Sequence, residues 1–342
     1  MTLAQAEQLT ARRQRDLEAI GRAVQAEMLF WMARLDPGDL MGSWFDEVLP
    51  GLYAALVRGQ TQAAAGASSY VADAAQAMGV NAATPWEVAP GAFAGAAADG
   101  RPLSSMLTVP ALRGRLAVEE RGQSAEWAAG QIRQSVLLMG ASETADAGWG
   151  AAQTAMVGTW HITGYIRCIS AGACKRCAVL AGRWYRWNAD FLRHKHCHCY
   201  GIPAAGDEAR NRGRGSWRTD PHRYFDSLSR RDQDRLFGRG GAESIRAGAD
   251  LASVVNARRV SSQLGRLDAG GTVVSTTTEG VTRRGWFHHV RTELERIEGR
   301  PLSRVRLTPE AIFKLAADRE ELVRLLGRHG YLVRAAADIA RL

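Results

Sequence analysis

The chain has 342 residues, a formal net charge of +9 at pH 7 and 46% hydrophobic residues. This length suffices for one large domain or two to three smaller ones, and each arrangement can bury a core. Every apolar run is far shorter than the roughly 20 residues that cross a bilayer, so we expect no transmembrane helix. The first residues, MTLAQAEQLTARRQRD, carry charges and amides where a secretory signal needs an apolar segment. We therefore expect an intracellular protein.

Charge is distributed unevenly along the chain. Residues 1–160 carry 11 Lys and Arg against 16 Asp and Glu, whereas residues 161–342 carry 33 against 19. The net charges of the two parts are therefore −5 and +14, which makes the second part a candidate for contact with nucleic acid or with an acidic protein surface. An excess of Arg is also what a G+C-rich genome produces, and no recognisable DNA-reading motif accompanies it.

The first 160 residues are predicted to be nearly all helical. From Leu17 to Leu35 the apolar residues recur every three or four positions, which is typical of a helix with one buried face. This helix is predicted to end at Asp36-Pro37-Gly38. Further helices are predicted at about 42–78, 103–120 and 124–139.

The pattern changes near Trp160, where two strand-like segments appear. HITGYIRCIS and GRWYRW are rich in β-branched and aromatic residues, and a polar linker follows at 204–222. Residues 270–284 are either β-structure or disordered. Helices are predicted at Ser229–Phe237, ended by Gly238, at Ala242–Ala247, and at 309–328 with Thr308 as the N-cap.

A group of Cys and His residues has the spacing of a metal site. Cys174 and Cys177 form a CxxC pair, and after 16 residues the segment HKHCHC supplies an HxxCxC element. Two ligand pairs on short turns are the usual format of a closed tetrahedral zinc site, and the intervening residues can return as a hairpin. Four protein ligands would leave no open position for water, so the predicted role is in folding.

The predicted ligands are Cys174, Cys177, Cys197 and, as the fourth, His194. Cys199 is the second choice for the fourth position, and His196 and His198 are near enough to compete. Disulfides and unligated thiols are the two alternatives for these cysteines. Cys168 lies in the apolar strand pattern and is predicted to be a small buried hydrophobic residue.

Together these patterns predict an α+β fold that is mostly α. It would have long N-terminal helices, a small β-containing zinc-knuckle core and an extended basic C-terminal region with a terminal helix. The predicted divisions are 1–110 for the N-terminal helical region, 111–206 for the core with the Cys/His knuckle, 207–260 for the basic linker and short helices, and 261–342 for the C-terminal extension.

Motifs of known enzymes are missing from the sequence. It contains no GxSxG, HExxH, Walker A loop or complete GxGxxG. The pairs Ser68-Ser69 and His288-His289 have no partner motif, and such pairs are usually surface or helix-cap features. We therefore expect no catalytic residues and no cofactor-binding residues other than the metal ligands.

The segment CISAGACKRCAVLAGRWYRWNADFLRHKHCHCYGIPA resembles the central part of MuF-like minor head proteins of tailed bacteriophages. In that family a strand is followed by CxxC and closed by an HxxCxC element. The later segments DPHRYFDSLSRRDQDRLFGRGGAESIRAGADLASVVNARR and LTPEAIFKLAADREELVRLLGRHGYL resemble versions from phages of actinobacteria. The resemblance covers most of residues 160–335. Lys195 and His196 depart from the proline and polar residue that relatives commonly have, which puts the fourth ligand in doubt.

The resemblance implies a structural protein incorporated in few copies inside the procapsid. Its expected role is head morphogenesis and DNA packaging or delivery, and its expected partners are the portal protein and the scaffold or major capsid protein, with packaged double-stranded DNA as a further candidate. It implies a location in the capsid interior at the portal vertex, and in the host cytoplasm during assembly. The expected cofactor is a structural Zn²⁺ ion, and no membrane partner is expected.

Two other functions remain open at this stage. Relatives are sometimes labelled capsid maturation proteases, and an active site can be assembled from residues distant in sequence. The basic second part also permits a zinc-containing DNA-binding protein outside any phage.

Overall fold

The computed structural model describes residues 2–83, 87–187, 189, 197, 199–205, 215–257, 266–269, 272–277, 281, 283 and 286–331. It divides into two units, one of Met1–Ala173 with Ala181–Asp220 and one of Cys174–Leu180 with Pro221–Leu342. The described residues are mostly helical with small antiparallel sheets, so the predicted α+β, mostly α class is confirmed. The four divisions predicted from sequence stay predictions.

Helices make up most of the first unit. In chain order they are α1 (Leu3–Met32), α2 (Leu40–Ser43), α3 (Leu49–Ala65), α4 (Ala67–Ala77), α5 (Leu103–Arg121) and α6 (Ala125–Val157). A π-helical turn lies at Trp44–Val48, and 3-10 turns lie at Pro37–Asp39 and Pro90–Phe93. The helix predicted over 42–78 is thus interrupted, and its last break falls at Gly66.

Helix α1 begins much earlier than its apolar pattern indicates. The reason is that the first turns bury polar side chains at helical spacing, among them Glu7, Thr10 and Gln14. Glu7 accepts hydrogen bonds from the Ser216 backbone N–H and the Thr219 hydroxyl. A hydrophobicity pattern does not detect a helical face of this kind, because its buried residues are polar. Their burial is tolerated because partners distant in sequence satisfy their hydrogen bonds, and a local pattern does not include those partners.

The core of the first unit lies between α1, α3, α5 and α6. Its largest fully buried side chains include Met28, Met32, Trp44, Leu52 and Leu56. Glycine allows close approach of α6 to this core. A methyl group added at Gly148 would lie 2.6 Å from a Leu17 methyl carbon and 3.2 Å from the Ala63 carbonyl oxygen.

A three-stranded antiparallel sheet completes the first unit. It consists of β1 (Gly164–Cys168), β2 (Trp184–Arg186) and β3 (Tyr200–Ala204), in the order β2-β1-β3. Strands β1 and β2 fall within the two segments predicted as strand-like. Strand β3 was not predicted as a strand; it contains Pro203, which is compatible with its place at a sheet edge.

The second unit contains shorter elements. Its helices are α7 (Lys175–Val179), α8 (Pro221–Ser227), α9 (Arg230–Phe237), α10 (Arg239–Arg246), α11 (Leu251–Ala257), α12 (Trp286–Glu298), α13 (Pro309–Leu315) and α14 (Arg319–Arg328). A second antiparallel sheet has the order β4 (Arg266–Ala269), β5 (Thr272–Thr277) and β6 (Arg306–Leu307).

The helix ends in the second unit follow local chemistry. Thr308 is an N-cap as predicted, and its hydroxyl accepts from the Ala311 backbone N–H. Ser229, predicted as the start of a helix, is also an N-cap, and its hydroxyl accepts from the Asp232 N–H. The single helix predicted over 309–328 is in fact two, because the Asp318 carboxylate accepts from the Glu321 N–H and starts a new helix. Part of the undecided segment 270–284 is strand β5.

Within the part of the chain that the structure describes, each helix is too short or too polar to cross a membrane.

We predict that Gly148→Ala lowers the free energy of unfolding by about 1–3 kcal/mol, because its methyl group would overlap Leu17 and press on the fixed Ala63 carbonyl. The control is Gly130→Ala on the same helix, where an added methyl group meets nothing within 4 Å. That change should be neutral or stabilise by up to about 1 kcal/mol. Urea unfolding of both variants measures the difference, and equal stabilities would contradict the close packing of α6.

Candidate metal centre

Three buried cysteine sulfurs form a cluster. The Sγ atoms of Cys177, Cys197 and Cys199 all lie within 4.8 Å of one another. Sulfurs around one tetrahedral zinc ion, with Zn–S bonds of about 2.3 Å, would be separated by roughly 3.8 Å. None of the five cysteines, all of which the structure describes, forms a disulfide. The three thiols could therefore hold a metal ion.

Backbone pairing explains why two of these sulfurs meet. Cys168, the last residue of β1, pairs with Tyr200, the first residue of β3. Cys199 directly precedes β3 and Cys197 lies two residues earlier, so both stand at the end of the sheet where β1 finishes. The chain leaves β1 through a turn at Gly172, whose φ is +71°, and enters α7, which carries Cys177.

The cluster contains two of the four predicted ligands. Cys177 and Cys197 are members, and Cys199, predicted as the second choice for the fourth position, is the third member. Cys174 is the N-cap residue of α7 and is half-buried. It is one of the described residues, but its sulfur does not belong to the cluster. His194, His196 and His198 lie outside the described residues, so the histidine ligand stays a prediction.

A buried arginine accompanies the sulfurs. Arg167, the residue before Cys168 in β1, is 1% exposed, and its Nη2 lies 4.0 Å from the Cys197 sulfur. A buried cation is costly unless a negative charge lies nearby, and a guanidinium group favours the thiolate form of a neighbouring cysteine. Arg167 therefore suits a cluster of thiolates, which is the form that binds metal.

Sequence reasoning missed Arg167, although a signal was present. The segment YIRCI places one charged residue in an otherwise apolar strand. Since Arg is almost never fully buried without a partner, such a position indicates a compensating group in the core.

Cys168 has a different environment from the cluster. It is fully buried in β1, and burial raises the pKa of its thiol far above the usual range. It packs in a small core with Ile166, Ile202 and residues of the helices, as the strand pattern predicts. Cys168 is thus a protonated, apolar side chain at neutral pH.

Aromatic side chains attach the sheet to the helices of the first unit. The Tyr200 hydroxyl donates to the Gly148 carbonyl at 2.7 Å, and the Tyr70 hydroxyl donates to the Gly201 carbonyl at 2.7 Å. Trp149 makes edge-to-face contacts with Tyr200 and Tyr165 at centroid distances of 5.1 Å. Burial raises the pKa of Tyr70, so its hydroxyl keeps its proton and remains a donor. These contacts position the start of β3, and with it Cys199.

We predict that Arg167→Met weakens binding of Zn²⁺ by about 10–100-fold, because the variant removes the positive charge next to Cys197. Arg167→Lys, which keeps the charge, should recover part of the affinity. Competition with a chromophoric chelator measures both. The control is Arg183→Met, an exposed arginine near the neighbouring strand. Equal affinities in the wild-type protein and Arg167→Met would show that the guanidinium does not support the thiolates.

No family model, curated protein or solved structure matches the chain. The resemblance to phage head proteins therefore depends on the quoted sequence segments. The thiol cluster does not depend on that resemblance, because it follows from the positions of the sulfur atoms.

Proposed function

We propose that the chain is a structural minor head protein of a tailed bacteriophage, with a structural metal site and no catalytic role. The observation that carries the proposal is that Cys177, Cys197 and Cys199 come together. They belong to the CxxC and HxxCxC elements on which the family resemblance rests. A spacing that arose by chance would give no reason for the sulfurs to converge in three dimensions.

The proposed metal is Zn²⁺. Thiolate ligands favour zinc, copper(I) or iron–sulfur centres over hard cations, and zinc is the usual ion for closed Cys/His sites. Cys177, Cys197 and Cys199 would be three ligands, with Cys174 and His194 as the candidates for the fourth. Bound zinc would contribute folding energy, because its ligands come from separate segments of the chain.

The proposed location is the capsid interior at the portal vertex, after assembly in the host cytoplasm. The proposed partners are the portal protein and the scaffold or major capsid protein. The basic second part of the chain, with a net charge of +14, would suit an acidic protein surface or packaged double-stranded DNA. Such a protein would act in procapsid assembly, head morphogenesis and DNA packaging or delivery.

The purified protein is expected to contain about one zinc ion per chain, measured by elemental analysis. Cys177→Ser and Cys197→Ser should each lose the ion and lower the thermal midpoint, because the remaining ligands cannot close a tetrahedral site. Chelation of the wild-type protein should have the same effect on stability.

Cys168→Ala is the matched control, because Cys168 is buried but lies outside the cluster. This variant should keep its zinc even if it loses some stability. Cys174→Ser and His194→Ala then test which residue is the fourth ligand. A protein that folds normally without any metal would contradict the zinc proposal.

Co-expression with the portal, scaffold and major capsid proteins of the same phage tests the structural role. We expect the chain to co-purify with procapsids in low copy number, and mass spectrometry should find both it and the capsid protein uncut. A capsid protein shortened only when this chain is present would replace the structural proposal with a maturation protease. Absence from procapsids, together with salt-dependent binding to duplex DNA, would favour the DNA-binding protein.

A further inference from the structure

The three-stranded sheet of the first unit has an unusual surface at the end opposite the sulfurs. Trp160 is 85% exposed and Trp187 is 43% exposed. Indole side chains have the largest apolar surface of any residue and are usually well buried. Two exposed indoles in one region therefore require an explanation.

Backbone contacts bring the two tryptophans to the same end of the sheet. The Trp187 N–H donates to the Thr163 carbonyl at 3.1 Å, directly beyond the pair formed by Gly164 and Arg186. Trp160 precedes Thr163 by three residues, so their Cα atoms are at most about 11 Å apart. A turn closed by the bond from the Ile162 N–H to the Thr159 carbonyl connects them.

Arginines alternate with aromatic residues along the edge strand. The segment Arg183-Trp-Tyr-Arg186-Trp contains β2, and both arginines are exposed. Tyr185 is stacked on Tyr165 with an interplanar angle of 10°, and the Arg183 guanidinium lies 5.7 Å from the Tyr185 ring centroid. This stacking on Tyr165 gives the Tyr185 ring a fixed orientation. Arg183 lies opposite Arg167, whereas Arg186 lies opposite Gly164 and, by strand alternation, on the other face from Tyr185. The exposed edge of the sheet therefore carries a positive charge at both ends of β2. We call this edge, with Trp160, Arg183, Tyr185, Arg186 and Trp187, the RWYRW surface.

The RWYRW surface carries the positive charge of two arginines. The sequence contains no Asp or Glu between Asp146 and Asp190. Neither Arg183 nor Arg186 forms an ion pair with a carboxylate of the described residues. A ligand that carries negative charge and flat apolar faces would match both properties.

We propose that the RWYRW surface binds single-stranded nucleic acid. Unpaired bases would stack on the exposed indoles, and Arg183 and Arg186 would contact the phosphates. A duplex hides its base faces within the stack, so it cannot use the indoles in this way. Stacking and phosphate contacts depend little on base identity or on the 2′-hydroxyl, so DNA and RNA should both bind. The proposal does not rest on the phage role or on zinc.

Fluorescence anisotropy with a labelled thymidine oligonucleotide of about 20 nucleotides tests the proposal, since the length exceeds a typical single-strand site. Trp160→Ala and Trp187→Ala should each weaken binding roughly 5- to 100-fold, because each removes a stacking face. A uridine oligonucleotide should bind within a few-fold of the thymidine one, and a duplex of the same length much more weakly.

The electrostatic part is tested by salt dependence. Arg186→Gln should reduce the slope of log K against log salt by about 0.7, the value for one phosphate contact on a single strand. Matched controls on the helices are Phe30→Ala and Arg113→Ala, an exposed aromatic residue and an exposed arginine. Both should bind like the wild-type protein. Thermal unfolding checks that every variant is folded.

Four results would overturn the proposal. The first is an absence of oligonucleotide binding by the wild-type protein at low salt, and the second is duplex binding as tight as single-strand binding. The third is an equal loss of binding in the variants and the helical controls. The fourth is unchanged oligonucleotide binding by Trp160→Ala with loss of co-purification with portal or capsid protein, which would assign the surface to a protein partner.

Discussion

The convergence of three sulfur atoms depends on the pairing of β1 with β3. Because Cys168 pairs with Tyr200, the residues just before β3 are placed at the end of β1, where the chain also turns toward α7. The Arg167 guanidinium, buried in β1, then lies beside Cys197. A buried guanidinium beside three protonated thiols would have no negative charge near it, whereas thiolates would supply that charge, so the three sulfurs could hold a metal ion.

The helices of the first unit hold this sheet through polar contacts in the core. Tyr70 connects Thr10 of α1 with the Gly201 carbonyl of β3, and Gln14 of α1 donates to the Cys168 carbonyl at 3.4 Å. Each of these groups would be costly to bury alone, and each is satisfied by a partner distant in sequence. The sheet position is therefore specified by directional bonds in addition to apolar packing.

Strand β1 separates two kinds of chemistry. Near Cys168 the side chains are buried sulfurs, which suit a structural ion. Near Gly164 the neighbouring residues include the exposed Trp160, Trp187 and Arg186, which suit a ligand from solution. The strand is only five residues long, so a stable metal site would also hold the RWYRW surface in place. A structural zinc and a recognition surface are thus compatible roles of one small sheet.

The sequence by itself determined the helical character of residues 1–160, the strands around Trp160 and the Thr308 cap. These features depend on local periodicity and on side chains that bond to nearby backbone groups. It also identified the cysteine-rich segment, because ligand spacing is a local property. Only the tertiary structure decided that α1 starts at Leu3, that Cys199 joins Cys177 and Cys197, and that Arg167 lies beside them. Those outcomes depend on partners up to about 200 residues away in the chain, such as Ser216 for Glu7, and a local pattern has no information on such contacts.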